Sequence, residues 1–182
     1  MRKTLIESLF RGKLTEPAPQ VIEGETAALL TELGEVSRRG LGRSLAIREL
    51  DAGSCNGCEL EITALGNAFY DLERFGLKFV ASPRHADVLM VTGPMTRNML
   101  EAMRSTYEAM AATKFVIAVG DCACTGGVFA DSPACIGAAA QIIDVDLRIP
   151  GCPPDPITLL KGLIGFASAL TRSPSHASAQ SQ

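Results

Sequence analysis

Short apolar runs alternate with longer helical patterns over most of this chain, and this alternation restricts the fold more than any other feature. Five runs have the near-continuous apolar character of strands that are buried on both faces of a parallel sheet. They are SLAIREL (44–50), KFVAS (78–82), DVLMVTG (87–93), KFVIAVG (114–120) and DVDLRIPG (144–151). Residues 59–75, 98–112 and 156–170 space their apolar side chains as helices do. We therefore predict an α/β fold, an open and mostly parallel sheet covered by helices.

The two ends of the chain depart from this pattern. Residues 1–43 contain short helical stretches interrupted by Pro17 and Pro19, and we predict an N-terminal arm before the α/β domain at 44–170. The first stretch of the arm is amphipathic, with apolar Leu5, Ile6, Leu9 and Phe10 flanked by basic Arg2, Lys3, Arg11 and Lys13. Such a stretch can lie on a membrane surface, contact a partner or pack on its own domain. The polar tail, residues 171–182, is predicted to be disordered.

Composition excludes several classes of protein. The 182 residues, 47% of them apolar and 20% charged, suffice for one domain with a core. A formal net charge of -3 and the lack of a long basic run argue against nucleic-acid binding. No stretch approaches the roughly twenty apolar residues of a membrane span, and the first residues do not have the pattern of a secretory signal. We expect a soluble or peripheral protein that is not exported.

Four of the six cysteines follow the carboxyl ends of predicted strands. Cys55 and Cys58 follow the first strand, and Cys122 and Cys152 follow the fourth and fifth. Because the carboxyl ends of parallel strands line one edge of an open sheet, we expect these four thiols to meet there. Six irregularly spaced cysteines do not suggest a secreted disulfide scaffold, whereas four soft thiolates suit a metal centre.

Zinc and an iron–sulfur cluster both accept four thiolates, so the number of ligands leaves both open. Structural zinc sites usually have two Cys-x-x-Cys pairs, and here only Cys55 and Cys58 are paired. Cys122 and Cys152 each lie in a glycine-containing turn that can bring backbone N–H groups near sulfur, which favours the cluster. Cys124 and Cys135 are predicted to be structural, since small buried cysteines are common in cores.

Four motifs resemble those of a known family. SCNGCELE (54–61), VTGPMTRNM (91–99), GDCACTGG (120–127) and IPGCPPDP (149–156) occur in the order found in the family that unites the small subunit of nickel–iron hydrogenases with the corresponding cluster-bearing subunit of respiratory complex I. The resemblance implies a flavodoxin-like α/β domain that carries one 4Fe–4S cluster. Its implied ligands, which are both cofactor-binding and metal residues, are Cys55, Cys58, Cys122 and Cys152.

Within that family, the spacing of the first motif favours a hydrogenase. Complex I subunits resembling this chain have two adjacent cysteines there, whereas Asn56 and Gly57 separate the two here. Since little sequence follows Cys152, we expect one cluster only. The chain resembles the small subunit of membrane-bound, energy-converting hydrogenases of the formate hydrogenlyase type, which face the cytoplasm at the inner membrane.

The resemblance implies a role in electron transfer without catalytic residues in this chain. The implied partners are a hydrogenase large subunit, which holds the nickel–iron site, a ferredoxin-like iron–sulfur subunit and integral membrane subunits. A quinone reductase of the complex I type and a structural zinc domain remain alternatives. Glu59 and Glu61 follow Cys58 at the predicted start of a helix, where the helix dipole favours carboxylates. We prefer that explanation to a role in proton coupling.

Overall fold

Seven strands lie in the part of the chain described by a computed structural model, residues 23–41, 43–112 and 114–172. They are β1 (Leu45–Asp51), β2 (Leu77–Phe79), β3 (Val88–Thr92), β4 (Met95–Thr96), β5 (Phe115–Val119), β6 (Cys135–Gly137) and β7 (Leu147–Ile149). Five of them form one parallel sheet in the order β2-β1-β3-β5-β7. All five predicted strands are therefore confirmed. Counted within this sheet alone, the order is 2-1-3-4-5, which is the flavodoxin-like order.

Helices cover both faces of this sheet. They are α1 (Glu23–Leu41), α2 (Gly57–Ala64), α3 (Leu100–Ala109), α4 (Gly120–Thr125) and α5 (Pro156–Arg172). Side chains along the central strands alternate between two cores, as the period of two in a strand requires. In β5, Ile117 packs in one core with α1, α2 and α5, whereas Val116 packs in the other with α3 and α4. The predicted α/β fold is confirmed.

The helix predicted over 59–75 is wrong in its length. It ends at Ala64, and the backbone then turns around Asn67, whose Oδ1 accepts N–H groups of Phe69 and Tyr70 at 2.8 and 3.1 Å. Asp71 adopts a left-handed conformation before a short 3-10 helix, Leu72–Phe75. Asparagine competes for backbone N–H groups through its side chain, and this breaks a helix that the apolar spacing alone would continue.

The second half of the predicted arm is a continuous 19-residue helix, α1. Its Leu30 and Leu33 are buried in the same core as Leu160 and Leu163 of α5. The amphipathic stretch of residues 1–13 lies outside the described residues. So does the predicted tail from 173 onward, whereas residues 171–172 still belong to α5. Among the described helices, none has the length and apolar character needed to cross a bilayer.

Candidate metal centre

The ends of β1, β3, β5 and β7 are aligned, and three of them lead into the cysteine loops. The paired residues Asp51, Thr92, Val119 and Ile149 form one row across the sheet. Cys55 and Cys58 follow β1, Cys122 follows β5 and Cys152 follows β7. Cys55 and Cys152 are exposed, whereas Cys58 and Cys122 are half-buried.

The four predicted cysteines lie close enough for their charges to act on Cys58 and Cys122. Burial, together with negative charge at Glu59 and at the other three cysteines, raises the pKa of Cys58 to about 12. The pKa of Cys122 is raised by burial and then by Cys152 and Cys55. A cation bound between such thiols would favour the ionised form of each of them. The site is therefore suited to a positively charged metal centre.

Glycines close around three of the sulfurs. A Cβ atom on Gly57 would lie 3.5 Å from Cys55 Sγ, one on Gly127 would lie 2.8 Å from Cys122 Sγ, and one on Gly120 would lie 2.5 Å from Cys58 Sγ. Gly120 and Gly127 also have positive φ values, 85° and 53°. Backbone can approach the sulfurs this closely only where no side chain intervenes. One N–H group, that of Val128, donates a hydrogen bond to Cys122 Sγ.

The loop before Cys55 is held by side-chain hydrogen bonds. Asp51 Oδ1 accepts N–H groups of Gly53 and Ser54 at 2.7 and 2.6 Å, and Ser54 Oγ accepts the N–H of Asn56 at 3.1 Å. Asn56 adopts a left-handed conformation, φ 71°, and α2 begins at the next residue. Cys55 consequently stands in the loop, whereas Cys58 stands in the first turn of the helix.

Cys124 and Cys135 are buried in the domain. Cys124 Sγ donates a hydrogen bond to the carbonyl of Ala118 at 3.5 Å and accepts one from the N–H of Ile149. Cys135 lies in β6, opposite Thr96 of β4. Neither is among the negative groups that perturb Cys58.

Four cysteine thiols at one edge of the sheet have the donor chemistry that an iron–sulfur cluster requires. In the described ranges, no group of three or more His, Cys, Asp or Glu side chains is arranged to hold one metal ion. Four thiolates on one zinc ion would stand within about 4 Å of one another, because each Zn–S bond is about 2.3 Å. A 4Fe–4S cluster gives each cysteine its own iron, so its four sulfur ligands stand farther apart than those of one zinc ion.

A comparison with known families agrees with the motifs. The model of the family described as NADH ubiquinone oxidoreductase, 20 kDa subunit, matches residues 55–166. The chain belongs to this family. The match begins at Cys55 and includes all four cysteines at the sheet edge.

Proteins that resemble this chain include subunits named for a membrane-bound hydrogenase, a formate hydrogenlyase and a membrane-bound sulfane sulfur reductase. A probable membrane-bound hydrogenase subunit of Pyrococcus furiosus is 48% identical over 124 residues, 68% of this chain and 74% of that protein. Formate hydrogenlyase subunit 7 of Escherichia coli is 39% identical over 154 residues, 85% of this chain but 58% of that protein. A solved chain of the membrane-bound sulfane sulfur reductase, an archaeal respiratory membrane complex, matches with a TM-score of 0.65 and 32% identity, covering 79% of this chain and 78% of that one.

This member of the 20 kDa-subunit family also has exposed apolar side chains beside the cysteines. Val128, the residue whose N–H is bonded to Cys122, is 82% exposed, and its neighbour Phe129 is 41% exposed. Leu60, two residues after Cys58, is 63% exposed. Large apolar side chains on both sides of a polar site are typical of a surface that another protein covers.

Sequence reasoning missed Glu49, a half-buried carboxyl in β1. It lines a groove of about 520 Å³ with Ile62, Thr63, Gly66, Asn67 and Phe79. Glu49 Oε1 and both oxygens of Glu59 are buried without a hydrogen-bond partner in the described structure. Burial, followed by the negative charge of Glu59, raises the pKa of Glu49 to about 7. The signal in the sequence was the charged pair Arg48 and Glu49 within an otherwise apolar strand.

We expect Glu49→Gln to remove a pH dependence of stability. Because the folded state keeps a proton on Glu49 that the unfolded chain has lost, the free energy of unfolding falls as pH rises from about 4.5 to about 7. The protonated Glu49 contributes its full stabilisation below pH 4.5, and this stabilisation is lost above about pH 7. Since the side chain is only partly buried, we expect a change on the order of 1 kcal/mol.

Urea unfolding of the anaerobically purified chain at the two ends of that range measures this change. Relative to the wild type, Glu49→Gln should be more stable at the higher pH than at the lower. The control is Glu101→Gln, on the exposed surface of α3. Parallel pH profiles for wild type and Glu49→Gln would contradict the prediction.

Proposed function

We propose that this chain is the electron-transfer subunit of a membrane-bound hydrogenase complex. One 4Fe–4S cluster, held by Cys55, Cys58, Cys122 and Cys152, would accept and donate single electrons. The electrons pass between a ferredoxin-like subunit and the nickel–iron site of a large subunit. The observation that carries this proposal is geometric: four cysteines follow strands whose carboxyl ends are paired at one edge of the sheet, and glycine backbone lies close to three of their sulfurs.

Each part of the site has a role in this proposal. The thiolates bind the metal centre, and the backbone at Gly120 and Gly127 leaves no room for side chains beside two of them. The Val128 N–H stabilises negative charge on Cys122 Sγ, which favours the reduced state. Catalysis, the reversible reduction of protons to dihydrogen, belongs to the large subunit. This chain then contributes no catalytic residue.

The exposed apolar residues support a partner that covers the cysteine edge. Electron transfer requires the acceptor to approach the site closely, and Leu60, Val128 and Phe129 offer contact area around it. We assign this surface to the large subunit. Within the predicted arm, we assign the membrane- or partner-facing role to residues 1–13. These residues would contact integral membrane subunits at the cytoplasmic face of the membrane.

The hydrogenase assignment rests on Asn56 and Gly57 and on the similarity to two hydrogenase-related subunits. Asn56 takes a left-handed φ of 71°, which allows an open turn between Cys55 and Cys58. The second candidate is a quinone oxidoreductase subunit, because the family itself is described by NADH ubiquinone oxidoreductase. Both candidates use the same cluster and differ in the partner that receives the electrons.

We expect the complex purified anaerobically through this chain to contain nickel and acid-labile sulfide, and to reduce a viologen dye with dihydrogen. The reason is that electrons from the large subunit reach the dye only through a chain of clusters. The measurements are metal analysis, sulfide analysis and dihydrogen-dependent dye reduction. A nickel-free complex that reduces quinone would replace the hydrogenase with the second candidate. Zinc without sulfide would contradict both.

A further inference from the structure

Asp121 connects the two turns that carry the single cysteines. Its N–H donates a hydrogen bond to the carbonyl of Gly151 at 2.8 Å. In return, the N–H of Gly151 donates to Asp121 Oδ1, also at 2.8 Å. Asp121 immediately precedes Cys122, and Gly151 immediately precedes Cys152. The two bonds therefore fix the relative positions of backbone segments next to cysteines that are far apart in sequence.

The two hydrogen bonds between Asp121 and Gly151 lie just beyond the end of the pairing between β5 and β7. The β5–β7 ladder ends at the pair Val119 and Ile149, and β7 has only three residues. Pro150 follows and has no N–H to donate. Gly151 then has φ 141°, which is outside the strand region. The side chain of Asp121 thus replaces a ladder hydrogen bond that the backbone cannot make.

The carboxylate of Asp121 also places negative charge beside the site. Asp121 is the neighbour of Cys122 in the chain, and its Oδ1 accepts the N–H of Gly151, the neighbour of Cys152. A fixed anion that opposes negative charge on a cysteine sulfur equally opposes an electron added to a centre bound there. The charge and the side-chain hydrogen bond come from one carboxylate but have separable consequences.

We infer that Asp121 is a positioning residue for the cluster: it holds Cys122 and Cys152 at their working separation, and its charge lowers the reduction potential. The inference rests on the proposed cluster. It would be incorrect, with the cluster still present, if Asp121 only stabilised the first turn of α4, where acidic residues are favoured in any helix.

Two substitutions separate the two effects. Asp121→Asn keeps an Oδ1 acceptor for the Gly151 N–H and removes the charge. Asp121→Ala removes both the acceptor and the charge. The control for net charge is Asp144→Asn, since Asp144 is exposed and lines a groove beside α3 with Met103 and Arg104.

The experiment uses the holo complex purified anaerobically through this chain. Iron, acid-labile sulfide, the electron paramagnetic resonance spectrum of the reduced cluster and its midpoint potential are measured for each variant. We expect Asp121→Asn to keep wild-type iron, sulfide and line shape with a more positive potential. Asp121→Ala should lose most of its iron and sulfide or show an altered line shape. Asp144→Asn should match the wild type in all four measurements.

The outcomes distinguish this inference from the proposed function. A wild-type complex without sulfide would contradict the cluster itself. The positioning role would be overturned if the wild type has a cluster and Asp121→Ala has the same iron and sulfide content, line shape and midpoint potential. An unchanged potential in Asp121→Asn would overturn the effect of charge, and this variant remains informative even if Asp121→Ala does not fold.

Discussion

Replacing Cys122 by serine is expected to abolish or distort the metal centre, whereas replacing Cys124 is expected to leave it intact. The two residues are in the same short helix, α4, but face different surroundings. Cys122 is perturbed by the charges of Cys55 and Cys152, and Cys124 is buried against the carbonyl of Ala118. A serine hydroxyl is a poor substitute for a soft thiolate as an iron ligand. At position 124 it can still donate the hydrogen bond to that carbonyl.

Acid-labile sulfide and visible absorbance of the anaerobically purified complex measure this difference. Cys55→Ser, Cys58→Ser and Cys152→Ser should resemble Cys122→Ser, while Cys135→Ser should resemble Cys124→Ser because Cys135 is buried in β6. The Cys124 variant should lose stability by about 1 kcal/mol, as is usual for a change in a core. A cluster that survives in Cys122→Ser but disappears in Cys124→Ser would show that Cys124, and not Cys122, is the ligand in this helix.

The sheet was predictable from sequence because its strands are buried on both faces. Every residue of the apolar run VLMVT in β3 is buried. In a chain of this composition, a run of this kind is readily interpreted as a buried parallel strand. The convergence of the cysteines then followed from topology, since parallel strands place their carboxyl ends at one edge. The small sheet of β4 and β6 was missed because strands of two and three residues contain no periodicity to detect.

Other features depend on contacts that the sequence does not encode locally. Helix α1 was predicted only as part of an arm with short helical stretches, because its burial against α5 is a tertiary effect. The raised pKa of Glu49 depends first on burial and then on the charge of Glu59, which lies ten positions later in α2. The bonds between Asp121 and Gly151 likewise join turns that are separated by thirty positions. Motifs can identify ligands but not the groups that hold the ligands in place.

Gly120→Ala is expected to destroy the site and lower the stability of the domain. Gly120 has φ 85°, and the left-handed conformation costs a residue with a Cβ atom about 1–2 kcal/mol. The added methyl group would also lie 2.5 Å from Cys58 Sγ and 3.5 Å from the carbonyl oxygen of Gly151. Overpacking of this kind typically costs about 1–3 kcal/mol. Because Cys58 is one of the proposed ligands, its displacement should reduce cluster content as well.

The matched control for this substitution is Gly165→Ala in α5. An added Cβ atom there meets nothing within 4 Å, so the change should raise helix stability by about 0.8–1 kcal/mol without affecting the cysteines. Thermal unfolding and acid-labile sulfide of both variants test the pair. If Gly120→Ala keeps the sulfide content of the wild type, the close approach of Gly120 to Cys58 Sγ is not needed for the site to form. We expect sulfide to be lost in Gly120→Ala and kept in Gly165→Ala, because only at position 120 would a side chain occupy the space next to Cys58 Sγ.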